Sequence, residues 1–281
     1  MAFRGVLHFL GMSRKHWTDD KIFDRLLNNR SDNTYWDNIA ELRTRPNRNI
    51  FHKAVELTES ENPKYRLTGI DILAQLGIRP RPFYVESLNL FFNILEKEKE
   101  PKVLISLLFA IGHNNDNLDC NYISQLCSFS DTTDTAVKYA LVNSLLGIDN
   151  ENAIATLIQF SKDTSSNIRN WSTFGLGTQI ENDTPPIREA LWDRISDKNK
   201  DTKFEAISGL AIRKDERLIP IIQTELLKED YPGLLFEAII NFGDKQFLPI
   251  LQMQYTKYKS DSNINPGWLE DMENCIAELG K

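Results

Sequence analysis

Hydrophobic residues fall into one ten-residue pattern that recurs six times along the chain. The blocks are YRLTGIDILA (65–74), VLISLLFAIG (103–112), VKYALVNSLL (137–146), IRNWSTFGLG (168–177), TKFEAISGLA (202–211) and LLFEAIINFG (234–243). Their starts step by 38, 34, 31, 34 and 32 residues, a spacing that fits two short helices and two turns per unit. The ninth position is always a large hydrophobe: Leu73, Ile111, Leu145, Leu176, Leu210 and Phe242. The first position is mostly bulky, and the fifth is often small, with Gly69, Ser172, Ala206 and Ala238. The first, fifth, eighth and ninth positions share one face of an α-helix. Small residues on that face let a neighbouring helix come close.

A second amphipathic run precedes each block, as in NIFHKAVEL (49–57), NYISQLCSF (121–129), PIREALWDRIS (186–196) and FLPILQMQY (247–255). Pro186 and Pro220 fall near helix starts, where the missing N–H costs nothing. No long run alternates with period two, so no strand is expected. The prediction is an all-α chain: a right-handed superhelical solenoid of six to seven helix pairs. Residues 17–281 form one domain in this reading. Segments 17–58 supply N-terminal cap helices, 60–243 the repeats and 246–281 a charged C-terminal cap, because end repeats need a polar outer face. Residues 1–16 are expected to be a flexible arm. Their apolar stretch is too short and interrupted for a signal peptide, and no window reaches the length of a membrane span. A cytoplasmic setting follows.

The blocks resemble HEAT-like repeats of the phycobilisome-lyase type. The most specific stretch is residues 168–220, from IRNWSTFGLG through EAISGLA to RKDERLIP, which is similar to bacterial HEAT-repeat proteins. The resemblance covers about residues 60–281. It implies an armadillo-like solenoid whose second helices line a concave face. The superfamily contains scaffolds and a few enzymes, which sets the chemistry to look for.

Enzymatic signals are sparse. The four histidines, His8, His16, His52 and His113, are scattered, and none precedes a glutamate, unlike the di-iron sites of HEAT-like deoxyhypusine hydroxylases. Cys120, Cys127 and Cys275 have no C-x-x-C spacing, so neither zinc nor a disulfide framework is expected. No cofactor is expected either, because phosphate-loop and nucleotide motifs are missing. The family contains alkyl-purine DNA glycosylases, and Arg169, Trp171 and Asp183 offer the residue types that those enzymes use. That possibility and a bilin-lyase-type enzyme are the alternatives. The net charge of −7 opposes phosphate binding, so nucleic acid is not the expected partner.

The preferred reading is a non-enzymatic scaffold that binds a protein or peptide. The third, fourth and seventh block positions point away from the ninth-position hydrophobes. They place Trp171, Phe174, Phe204, Glu205, Phe236 and Glu237 on a candidate groove, whose rings and carboxylates suit a basic peptide. The second position carries Arg66, Lys138, Arg169 and Lys203. These are expected to bond turn carboxylates of the next unit as a structural ladder, with Asp163, Asp183, Asp197 and Asp215 available. Asp215 is also expected to cap the helix after it, and Arg213 and Arg217 to bridge repeats.

Overall fold

The computed structural model describes residues 14–29, 31–228 and 231–281. The predicted arm therefore lies outside the described residues, apart from a 3₁₀ turn at Arg14–His16. Arg14 donates from Nε to Asn38 at 2.8 Å.

Among the described residues there are sixteen α-helices, a few 3₁₀ turns and no strand. The architecture is an α-solenoid. The chain divides into two compact units, with the boundary at Asn117 and Leu118. The first unit holds α1 (Asp19–Leu27), α2 (Asp32–Arg43), α3 (Arg48–Thr58), α4 (Pro63–Gln75), α5 (Tyr84–Leu95) and α6 (Pro101–Gly112). The second holds α7 (Cys120–Cys127), α8 (Thr135–Leu145), α9 (Glu151–Phe160), α10 (Ser166–Thr178) and α11 (Pro185–Trp192). It continues with α12 (Lys200–Ile212), α13 (Ile219–Leu226), α14 (Leu234–Phe242), α15 (Leu248–Tyr258) and α16 (Pro266–Gly280). The six sequence blocks are α4, α6, α8, α10, α12 and α14, each preceded by its partner helix.

Local chemistry marks where these helices begin. Asn47, Asn62, Asp134, Asn150 and Asn199 each accept a first-turn backbone N–H through the side chain, filling bonds the helix cannot make for itself. Pro63, Pro101, Pro185 and Pro266 open their helices, where proline gives up no hydrogen bond. Gly243 ends α14 in the left-handed conformation, at φ 72°, as a C-terminal glycine does without steric penalty.

The apolar columns are the core. All six ninth-position side chains are buried, as are all six fifth-position residues. Small residues set how closely helices approach. A Cβ at Gly209 of α12 would stand 2.5 Å from the Gly177 Cα of α10. A Cβ at Gly69 of α4 would stand 2.5 Å from the Ala54 carbonyl oxygen of α3. Backbone touches backbone at both places, so no larger residue fits without moving a helix.

Two substitutions test this packing by urea unfolding. Leu210→Ala removes a fully buried side chain and is expected to lower stability by about 2–5 kcal/mol. Gly209→Ala adds one methyl where no room exists and is expected to cost about 1–3 kcal/mol by overpacking.

Candidate interaction face and its ionic frame

Each second-position cation reaches a carboxylate of the next helix pair. Arg66 of α4 donates to Glu98 from Nε at 2.7 Å and from Nη2 at 3.0 Å. Arg169 of α10 makes the same fork with Asp197, at 2.8 and 2.9 Å. Lys138 of α8 meets Asp163 at 2.7 Å, and Lys203 of α12 meets Glu225 at 2.6 Å. Three of these carboxylates hold a second post. Glu98 accepts from the Lys99 and Glu100 N–H groups, Asp163 from Ser165 N–H and Asp197 from Asn199 N–H. One side chain thus orders the turn before a second helix and clamps it to the previous second helix. The hydrogen bonds from Arg169 hold the Asp197 carboxyl below its ordinary pKa, against the opposing effect of burial.

Asp183 and Asp215, named from the sequence as ladder partners, belong to a different cluster. Arg188 grips Asp183 at 2.7 and 2.6 Å and approaches Asp215 at 3.5 Å. Asp215 accepts the Arg217 N–H at 3.2 Å as the cap of the 3₁₀ turn Glu216–Leu218. The hydrogen bonds from the Arg217 guanidinium lower its pKa. The reason is register: both aspartates lie in turns at the opposite ends of the second helices from the ladder cations.

Arg213 anchors that end. It is 7% exposed and donates to the carbonyls of Gly177, Gly209, Leu176, Ile180 and Asn182, at 2.7–3.3 Å. Most of these carbonyls belong to the last turns of α10 and α12, where helices lack internal donors and carry negative potential. Burial pushes the Arg213 pKa down. In the first unit Asn114 holds the corresponding place, donating to Ala74 O at 3.1 Å and Ala110 O at 2.7 Å.

The candidate face is built on α8, α10, α12 and α14. Trp171 is half-buried and lies edge-on to two other rings, Tyr139 at 6.3 Å and Phe174 at 5.6 Å between centroids. Glu205 and Glu237 occupy the same register on α12 and α14. Glu205 is half-buried and Glu237 exposed. Neither forms an ion pair among the described residues. Burial, then the charges of Asp201 and Glu237, push the Glu205 carboxyl up to about 7. Ile240 of α14 is 36% exposed.

Phe204 and Phe236 do not line a groove. They are 3% and 1% exposed. The third position is covered in α12 and α14, whereas Tyr139, at the same position of α8, is half-buried. Phe236 packs on Trp268 of α16 at 5.3 Å and on Tyr231 at 5.7 Å. The site residues missed by the sequence reading are Tyr139, which completes the ring cluster, and Asp201, which stands one turn before Glu205. Helical spacing from Glu205 was the available signal for Asp201.

A buried carboxylate marks the first unit. Asp71 of α4 accepts Tyr35 OH at 2.7 Å from α2 and Ser106 Oγ at 2.6 Å from α6. Burial raises its pKa to about 6, although both hydrogen bonds act to lower it. As the seventh residue of its block, Asp71 falls at a position expected from the sequence to point away from the apolar column. It is instead an internal tie between three helices.

The chain thus falls in the class of α-solenoid proteins, with a ladder of ionic clamps and one aromatic–acidic face. It is similar to the protein YibA of Escherichia coli strain K12, at 28% identity over 257 residues, covering 89% of this chain and 88% of YibA. The X-ray structure of E. coli YibA superposes with a TM-score of 0.74 at 26% identity, over 95% of this chain and 94% of that one. An engineered protein shares the fold, with a TM-score of 0.51 at 13% identity, over 92% of this chain and 77% of its own. No protein-family model matches the chain. Among the described residues, no helix is long and apolar enough to cross a membrane.

Glu205 gives a pH test. Its raised pKa means the folded protein keeps a proton that the unfolded chain loses near the usual value of 4.5. Its ionisation therefore destabilises the fold as pH rises from about 4.5 to about 7. Glu205→Gln is expected to raise the melting temperature at pH 8. The gain should shrink steadily on acidification through that window and vanish below it. An equal gain at pH 4 and pH 8 would contradict the assignment.

Proposed function

We propose that the chain is a non-enzymatic interaction scaffold whose second unit binds a partner polypeptide along the Tyr139–Trp171–Phe174–Glu205–Glu237 strip. The observation that carries this reading is Glu205. It is a half-buried carboxylate with no ion pair among the described residues and with the charges of Asp201 and Glu237 acting on it, whereas the ladder carboxylates Glu98, Asp163, Asp197 and Glu225 each meet a cation. A lysine or arginine from a partner would meet a site already partly stripped of water, where charge pairing is stronger than at an open surface. Trp171 supplies a rigid apolar anchor beside it, of the kind that dominates protein interfaces.

DNA-repair chemistry has less support. Asp183, the acid that such a reading would use, is held by both nitrogens of a forked Arg188 contact, and the face itself is acidic. The expectation is no tight binding to duplex DNA at physiological salt. Submicromolar, salt-sensitive binding would reverse this ranking.

The direct test uses immobilised peptides that pair an aromatic or aliphatic residue with two lysines or arginines, against copies carrying glutamates instead. Basic peptides are expected to bind and acidic copies to fail. Trp171→Ala is expected to weaken binding by more than about 2 kcal/mol, as anchors do, while the edge-on ring contacts it removes are worth about 0.5–1.5 kcal/mol each. A variant that unfolds readily but binds unchanged would assign Trp171 to packing. Equal binding of basic and acidic peptides would remove the proposed site.

A further inference from the structure

Positive charge is concentrated at one place in the first unit. The segment between α4 and α5 lies across the end of α2, because Gly77 N–H donates to Arg43 O at 3.2 Å. It then reaches the end of α6. Arg79 donates to His113 O at 3.0 Å, and Arg81 donates to His113 O at 2.9 Å and to Asn114 Oδ1 at 2.6 Å. Tyr84 OH donates to Asn114 O at 3.1 Å. These bonds gather Arg43, Arg79 and Arg81 at the carboxyl ends of two helices. Helix ends of that polarity attract cations, which explains why one arginine is tolerated there. It does not explain three.

The charge is poorly balanced. Asp116 contacts Arg79 at 3.0 Å, and no other carboxylate pairs with the three arginines among the described residues. Burial first, then the charges of Arg79 and Arg43, push the Arg81 pKa down. Burial and the same three arginines also lower that of His113. Unused donors remain. Arg43 is exposed, and its guanidinium makes no hydrogen bond or ion pair among the described residues. Arg81 Nε is buried and has no acceptor. The chain as a whole carries a net charge of −7, so this excess is not inherited from composition.

We propose that Arg43, Arg79 and Arg81 form a binding site for a single tetrahedral oxyanion of the phosphate class. Guanidinium forks match such oxygens in pairs, and a dianion would offset the mutual repulsion of the three arginines. The ligand is one group rather than a nucleic-acid backbone, since a backbone needs a row of cations along its length. The cluster is flanked by Ile78 and Val85, 70% and 64% exposed, which would contact whatever carries the oxyanion.

The test uses the full chain and inorganic phosphate, titrated at constant ionic strength against chloride. Saturable binding by calorimetry is expected, with a matching shift of the Arg81 Nε–H resonance. Arg81→Ala removes a tie to the end of α6, so it is a poor probe. Arg43→Gln changes an exposed side chain that is unpaired among the described residues, and it should melt like the wild type while binding phosphate at least tenfold more weakly. A phosphoserine peptide, compared with its unphosphorylated copy, separates the sources. Tighter binding than inorganic phosphate assigns the oxyanion to a polypeptide, and equal binding assigns it to a free small anion. Three results would each overturn the proposal: no phosphate or phosphopeptide binding above the chloride control, unchanged affinity in Arg43→Gln, or duplex DNA bound more tightly than either.

Discussion

Backbone contact between α10 and α12 fixes much else in the second unit. Gly177 and Gly209 have no side chain to hold their helices apart, so the two helices meet at van der Waals distance. That approach brings the carbonyls at both helix ends within reach of one guanidinium, Arg213. It also brings the Arg169 fork within reach of Asp197 in the turn that starts α12. A bulkier residue at either glycine would push α10 and α12 apart and lengthen the bonds that cross between them.

The ionic clamps add direction to this packing. Apolar columns tolerate small rotations, but a bidentate arginine–carboxylate pair does not. Because Asp163, Asp197 and Glu98 each order a turn as well as accept a cation, the start of one second helix is tied to the flank of the previous one. The clamps are spread along the chain: Arg66 and Glu98 in the first unit, and Lys138, Arg169 and Lys203 with their partners in the second. The same polar economy makes the exceptions informative. Among the described residues Glu205 has no cation and Arg43 no anion. The two sites have opposite sign and lie in different units. A basic polypeptide and a phosphate-class anion would therefore address different units.

The limits of sequence reasoning show at particular residues. The ninth-position column was legible because the same face of every second helix carries a large hydrophobe that is buried in each repeat. Phe204 and Phe236 were misread as groove residues because their surroundings depend on the next second helix along, some 32 residues away in the chain. Trp268 covers Phe236, and nothing near Phe236 in the sequence announces Trp268. Asp71 was misread for a similar reason: Tyr35 and Ser106 close over it from helices on either side.

The sequence alone determined the helix pairs, the apolar columns and the cations that reach forward, since each follows from periodicity and residue type within one repeat. Tertiary structure decided which outward positions stay open, which carboxylate lost its counter-ion and where three arginines converge. Exposure and electrostatic balance are properties of neighbours, and in a solenoid those neighbours come from the repeats before and after.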